Sequence, residues 1–340
     1  MSITLKDIAK RVGVSVTTVS RVINYNDRTI CSEDTQKLIW SLANELGYQP
    51  KNNRTLEENK ETLKIGYVLS TEIMSDPYYS QLLRGIESEA LRQGATIVFG
   101  CLAPDLYNPE SFRKIVNESK AEAVIYLNGA GDLFAELIKE DNLHIVMAGM
   151  EQNSLAKSMP DHIRRNYDYV GVDFYNDTLH WLLTRLLKRS RHNGYIGPKR
   201  SARCSAFLEA HRIANAEIDP DCMLFTENFK AESGKAVVTE FLTKGKKPPE
   251  AFFAGCDTLA IGAMQALKEH QYDIPKDVKV LGFDNIDMAG YVSPPLTTIE
   301  IPMINIGRAA VKAAAERIRG ERDYQLNYIL PTNFVERESL

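Results

Sequence analysis

The run SVTTVSRVIN, from Ser15 to Asn24, places Val19 and Val22 on one side of a helix and leaves Val16, Thr17, Ser20 and Arg21 on the other. An apolar group, hydroxyls and a guanidinium on one open helix face suit the major groove of DNA, where each base pair shows a different set of donors and acceptors. Taken alone, the same face is equally a solvated surface. A second kind of chemistry is spread over later loops. Tyr78 and Tyr79 follow a first strand, and Phe229 lies in the segment NFKAESG. Aromatic faces so placed can pack against the apolar C–H face of a sugar ring, with core packing as the alternative for each. Asp76, Asp173 and Asp257 are candidate partners for ligand hydroxyls. A turn or a helix entry is the alternative for Asp76 and Asp173, and capping of a helix beginning at Leu259 is the preferred reading of Asp257.

Motifs for catalysis are weak. GAGDLF, at 129–134, has two glycines of a dinucleotide fingerprint but Phe134 where the third belongs, so it reads as a turn. The sequence contains no phosphate-binding G-x-x-x-x-G-K motif and no G-x-S-x-G. Its six histidines show no metal-ligand spacing, and its five scattered cysteines form no C-x-x-C pair. No enzyme activity, metal or cofactor is expected. The cysteine pattern and the lack of a signal peptide or apolar span point to the cytoplasm.

The elements that position these residues fall into two unlike parts. Residues 1–56 carry eight Lys/Arg against five acids, a charge of +3, so the rest of a chain of net charge -4 carries -7. A basic end on an acidic body is the asymmetry expected when only one end meets phosphates. In that end Leu5, Ile8, Ala9 and Val12 mark a first helix stopped by Gly13, and Ser15 caps the second. A third helix runs from Ser32 with Leu38, Leu42 and Leu46 as its stripe and Gly47 as its stop. Residues 49–63 are polar and read as a linker.

From Lys64 onward, ten short β-rich runs alternate with amphipathic helices, which means parallel sheets covered on both faces. Ten strands exceed one comfortable sheet, so two sheets with a cleft between them are expected, with ligands bound beyond the strands' carboxyl ends.

The stretch LKDIAKRVGVSVTTVSRVIN, together with ELGYQP, GYVLS, DPYYSQLLRGIE, FFAGCDTLAIGAMQAL, VLGFDN and PPLTTI, resembles the lactose/galactose (LacI/GalR) repressor family over nearly the whole chain. The resemblance implies an α/β chain with a three-helix helix-turn-helix headpiece and hinge at 1–58. The remainder, 64–340, is a two-lobed body like that of periplasmic binding proteins, with two parallel sheets. Lobe 1 is expected at about 64–168 and 300–322, and lobe 2 at about 170–298 and 323–340. By family position Val16, Thr17 and Arg21 read bases, while Thr4, Ser15, Thr18, Ser20 and Asn24 position phosphates. In the family a hinge leucine wedges into the minor groove; Leu56 is the candidate here, one residue before the usual place, with Asn53 and Arg54 near the backbone. Arg203 matches the family's effector arginine and Asp284 its sugar-binding carboxylate, expected on opposite walls of the cleft.

The function implied is a homodimeric repressor of a sugar-utilisation operon on a pseudo-palindromic operator, released by galactose or a galactoside. A regulator using a corepressor and a sugar-binding transport protein are the alternatives. No leucine heptads follow the last expected strand, so dimers rather than tetramers are expected.

Overall fold

The structure, a computed structural model, describes residues 4–25, 30–46, 48, 62–69, 77–102, 109–127, 143–149 and 167–340. Asn53, Arg54, Leu56, Asp76 and the segment 129–134 lie outside the described residues, as does the side chain of Asn24. Two compact units are present, 1–62 and 63–340.

The first unit is built from helices α1 (Leu5–Val12), α2 (Val16–Tyr25) and α3 (Glu33–Glu45). Thr4 precedes α1 and donates to the Asp7 carboxylate from both its amide (2.9 Å) and its hydroxyl (2.6 Å). Gly13 ends the helix in the left-handed region at φ 80°, which a residue without Cβ adopts freely. Ser15 caps α2 by accepting the Thr18 amide at 3.0 Å. Ile8, Ala9, Val19, Val22, Ile23, Ile39 and Ala43 close a small core. Leu42 and Leu46 of the expected α3 stripe pack against this core, but its first position shifts by one: Ile39 is fully buried, whereas Leu38 is 51% exposed. The apolar residues flanking position 39 allowed either face, and packing against α1 and α2 selected Ile39 and Ala43.

The second unit holds two six-stranded sheets. In chain order its elements are β1 (Leu63–Leu69), α4 (Pro77–Gln93), β2 (Ala95–Leu102), α5 (Pro109–Ser119), β3 (Ala123–Leu127), β4 (His144–Ala148) and β5 (Tyr167–Gly171). There follow α6 (Phe174–Trp181), β6 (Asn193–Gly197), α7 (Ala202–Ala214), β7 (Met223–Phe225), α8 (Ala231–Thr243), β8 (Ala251–Ala254) and α9 (Asp257–Glu269). The last are β9 (Lys279–Asp284), β10 (Thr297–Glu300), α10 (Met303–Ile318), β11 (Asn327–Ile329) and β12 (Asn333–Val335). The first sheet has the order β11-β5-β4-β3-β1-β2 and is wholly parallel; the second is β12-β10-β9-β8-β6-β7, parallel except for β12. Strands β3, β5, β6 and β8 are buried at every position, as strands covered on both faces must be.

The chain passes between the sheets at 172–173, 301–302 and 330–332, so each lobe is assembled from separated segments. Residues 323–329, expected in the second lobe, belong instead to the first through β11. A buried pair explains this. Arg322 grips Asp168 with two hydrogen bonds (2.8 and 2.6 Å), and Asp168 also accepts the Leu326 amide at 2.7 Å, which sets β11 beside β5.

Two helix pairs approach through glycine. A methyl group on Gly85 of α4 would collide with the Ile304 carbonyl of α10, and one on Gly307 of α10 with the Leu82 carbonyl of α4. Gly234 of α8 and Gly262 of α9 stand in the same relation in the second lobe. Overpacking so close a contact forces the helices apart. Gly307→Ala should therefore lower stability by about 1–3 kcal/mol in urea or thermal melts; an unchanged midpoint would contradict this packing.

His211, 1% exposed, is held neutral in the second lobe. Its Nδ1 donates to the Phe207 carbonyl at 2.8 Å and its Nε2 accepts from Asn193 Nδ2 at 3.1 Å. Desolvation lowers its pKa from the ordinary 6.5, against the raising effect of the Phe207 hydrogen bond. A histidine with a depressed folded pKa contributes stability that is present above about pH 6.5 and lost on acidification below it. The melting temperature should fall between pH 7.5 and 5.5, and fall less in His211→Gln; equal falls in both proteins would remove His211 as the cause.

Candidate functional site

The candidate DNA-facing surface emerges from the geometry of α2. Its buried residues, Val19, Val22 and Ile23, turn Thr17 and Arg21 outward as exposed side chains, and Val16 is 42% exposed. Ser20 and Thr18 lie half-buried at the margins. Thr18 and Ser15 share a 2.8 Å hydroxyl contact, so these two candidate phosphate ligands are already ordered by the cap. Thr4, exposed, is likewise committed to the start of α1, and its two bonds hold the Asp7 carboxyl below the usual carboxylate range. This face has the shape and groups to lie in a groove, with its capping hydroxyls near its N-terminal end.

The cleft candidates converge on the ends of the second sheet. Arg203, in the first turn of α7, is 8% exposed and lies over three phenylalanine rings: Phe283 at 4.7 Å, Phe174 at 4.8 Å and Phe229 at 5.1 Å. Its Nη1 donates to the Gly255 carbonyl after β8. Aromatic faces carry negative potential, so this cage stabilises the guanidinium while keeping it dry. Asp284 ends β9 with φ at 117°, 7% exposed. Phe229 is 37% exposed, which leaves ring surface for a ligand.

Tyr78 and Tyr79, at the start of α4, contribute from the first lobe. Both are buried, their rings meet edge to face at 5.2 Å, and the Tyr78 hydroxyl donates to the Gly149 carbonyl at 2.7 Å. Burial pushes the Tyr78 hydroxyl well above its ordinary pKa; the Asp284 charge raises it further and the Arg203 charge opposes this. Tyr78, Asp284 and Arg203 thus lie within electrostatic reach of one another, although they come from two lobes. The lobes also touch directly, Gln81 Nε2 donating to Asp287 Oδ1 at 3.3 Å.

Two expectations change, for the Arg203–Asp284 pair and for Asp257, and the helix-entry alternative holds for Asp173. Arg203 and Asp284 do not face each other from opposite walls; both belong to the second lobe, because α7 and β9 pack in the same layer system. Asp257 is not available to a ligand: it is fully buried, its Oδ1 accepting the Thr298 hydroxyl at 2.5 Å and its Oδ2 the Ile286 amide at 2.9 Å. Nor does it precede its helix as a cap, since α9 begins at Asp257 itself. Asp173 is the cap of α6, with Oδ1 accepting the Asn176 amide at 2.9 Å and Oδ2 the Asn176 side-chain amide at 2.7 Å. Sequence reading also passed over Phe174 and Phe283. Phe174 directly follows Asp173 at a helix entry and Phe283 sits inside VLGFD, both readable as core and identified as a cage only by their distance to Arg203.

Comparison with known proteins accords with both units. Residues 4–51 match the model for bacterial regulatory proteins of the lacI family, and residues 185–340 match the periplasmic binding protein-like domain. The chain is 28% identical over 348 residues to the HTH-type transcriptional regulator RegA of Clostridium saccharobutylicum, covering 100% of this chain and 99% of that protein. It is also 28% identical over 346 residues to the HTH-type transcriptional repressor PurR of Aliivibrio fischeri (strain MJ11), covering 99% and 98%. Among solved structures, the transcriptional regulator CelR-cellobiose complex superposes with a TM-score of 0.71 at 24% identity, covering 99% of each chain. The lac repressor dimer bound to operator and the anti-inducer ONPF does so with a TM-score of 0.66 at 22% identity, covering 100% and 99%. Among the described residues no helix is long and apolar enough to cross a membrane. With a headpiece that matches the lacI-type regulatory proteins and a periplasmic-binding-like body of two mostly parallel sheets, the chain is similar over its full length to DNA-binding transcriptional regulators of the LacI family.

Proposed function

We propose that this regulator is a cytoplasmic homodimeric repressor of a sugar-utilisation operon, released from its operator when a sugar occupies the cleft of the body. The observation that carries the reading is the division of α2, which buries Val19, Val22 and Ile23 and leaves Val16, Thr17 and Arg21 open. Those three are the proposed base readers, with Ser15, Thr18, Ser20, Thr4 and Asn24 as phosphate positioners. A two-fold dimer requires a two-fold operator, with half-sites about 34–36 Å apart.

The sugar reading rests on the cleft. Phe229 offers an exposed ring for C–H stacking, while Arg203 supplies donors and Asp284 acceptors for hydroxyl groups. Arg203 and Asp284 carry opposite charges inside one lobe, which suits a neutral polyol better than an ion. Galactose or a galactoside is the first candidate, and cellobiose, named with the solved CelR complex, is the natural competitor. A sugar preferring one arrangement of the lobes shifts operator affinity by its differential binding to the two arrangements.

Arg21→Ala should weaken specific operator binding by about 1–3 kcal/mol and relax discrimination at one base pair of each half-site, measured by competition against single-substitution operators. Thr18→Ala, in contrast, should weaken specific and random DNA alike. Equal loss on both DNAs for Arg21→Ala would remove it from the base readers. In the cleft, Asp284→Ala should reduce sugar affinity by roughly 1.5–3 kcal/mol with little change in ligand-free operator affinity. Calorimetry against galactose, lactose and cellobiose on wild type and variant checks this, and an undiminished affinity would remove Asp284 from the site.

A further inference from the structure

The loop leaving β9 has an unusual backbone. Asp284 and Asn285 are successive non-glycine residues at φ 117° and 59°. Such conformations persist only where the surroundings enforce them. Arg337 supplies part of the enforcement, with Nη2 donating to Asn285 Oδ1 and Nη1 to the Leu296 carbonyl, both at 2.7 Å. Asn285 Nδ2 in turn donates to Glu300 Oε1 at 3.1 Å. On the main chain of the corner the anchor is Asp257, which takes the Ile286 amide on one oxygen and ties its other oxygen to Thr298 on β10. A residue serving α9 alone would turn to the amides of its own first turn. Asp257 reaches instead across β9, where Gly282 makes room: a Cβ at that position would run into Asp257 Oδ1.

The geometry points to Asp257 as the positioning residue for Asp284, holding the corner at 284–286 so that the Asp284 carboxylate is presented to the cleft. The inference rests on Asp284 being an effector ligand, as proposed above. Asp257 itself touches no ligand; it acts through the main chain of Ile286. Burial pushes its carboxyl up to about 7, against the lowering effects of the Thr298, Ile286 and Asn285 hydrogen bonds and the Arg337 charge. The neutral acid is therefore accessible near neutral pH, and asparagine is its close mimic: the amide oxygen can accept from Ile286 while the amide nitrogen donates to Thr298.

The test uses the full chain as wild type, Asp257→Ala and Asp257→Asn, titrated calorimetrically with galactose, lactose and cellobiose. Amide hydrogen exchange is measured on the same ligand-free proteins. Asp257→Ala should bind the active sugar about tenfold or more weakly, and Asp257→Asn within about threefold of wild type. Exchange at Ile286 should accelerate in the alanine variant and recover in the asparagine variant, while the amides of β6 stay protected in all three. Wild-type affinity in Asp257→Ala, or equal losses in both variants, overturns the inference. If none of the three sugars binds wild type, the sugar reading of the cleft fails, and exchange alone decides: acceleration rescued by asparagine sustains the positioning role, and unchanged exchange overturns it. Should Asp257→Ala not fold, Asp257→Ser takes its place, since its shorter side chain also withdraws the acceptor from Ile286.

Discussion

A guanidinium enclosed by three phenylalanine rings has lost most of its hydration, and the arrangement around it follows from that loss. Arg203 recovers part of the cost from the ring faces and part from the Gly255 carbonyl. Asp284, in the same lobe, supplies the opposite charge: it raises the pKa of Tyr78 and Cys256, and Arg203 lowers both. Burial is the larger cause for each, taking the Cys256 thiol up to about 12. Compensation within one lobe leaves the other lobe free to contribute apolar and neutral groups, which is what Tyr78 and Tyr79 are. The charged groups thus stand in the second lobe and the aromatic pair Tyr78–Tyr79 in the first.

The body itself is built from interleaved segments. Because the chain passes three times between the sheets, a rearrangement of one lobe against the other bends three short connections and leaves the strands intact. The outermost strand of the first sheet is fixed by the buried Asp168–Arg322 pair, which lies well inside that lobe. Each lobe is further locked by a helix pair packed through glycine, so the lobes are suited to move as bodies.

The sequence made the two faces of α2 legible because a 3.6-residue period needs only local information: Val19 and Val22 inward and Arg21 outward follow from spacing. The ten principal strands were legible for the same reason. What was not legible depends on contacts distant in sequence. The three-residue strands β11 and β12 have no pattern of their own; β11 is exposed throughout and is placed by a pair 154 residues apart. Leu38 and Ile39 are adjacent and equally apolar, so only packing separates them. Asp257 reads as a helix entry because that is what an acid before a helix usually is, and its reach to Thr298 and Ile286 becomes visible only once β9 and β10 are side by side.

The central claim is that one chain couples a sugar in the cleft to DNA on the headpiece. It is tested most directly by measuring the affinity of the intact protein for its selected operator at fixed salt, with and without a saturating concentration of the sugar that binds the cleft. Coupling predicts a weakening of roughly 5- to 150-fold, the span of about 1–3 kcal/mol found for allosteric proteins, with no comparable change on random DNA. An operator affinity identical in the two conditions would contradict the account.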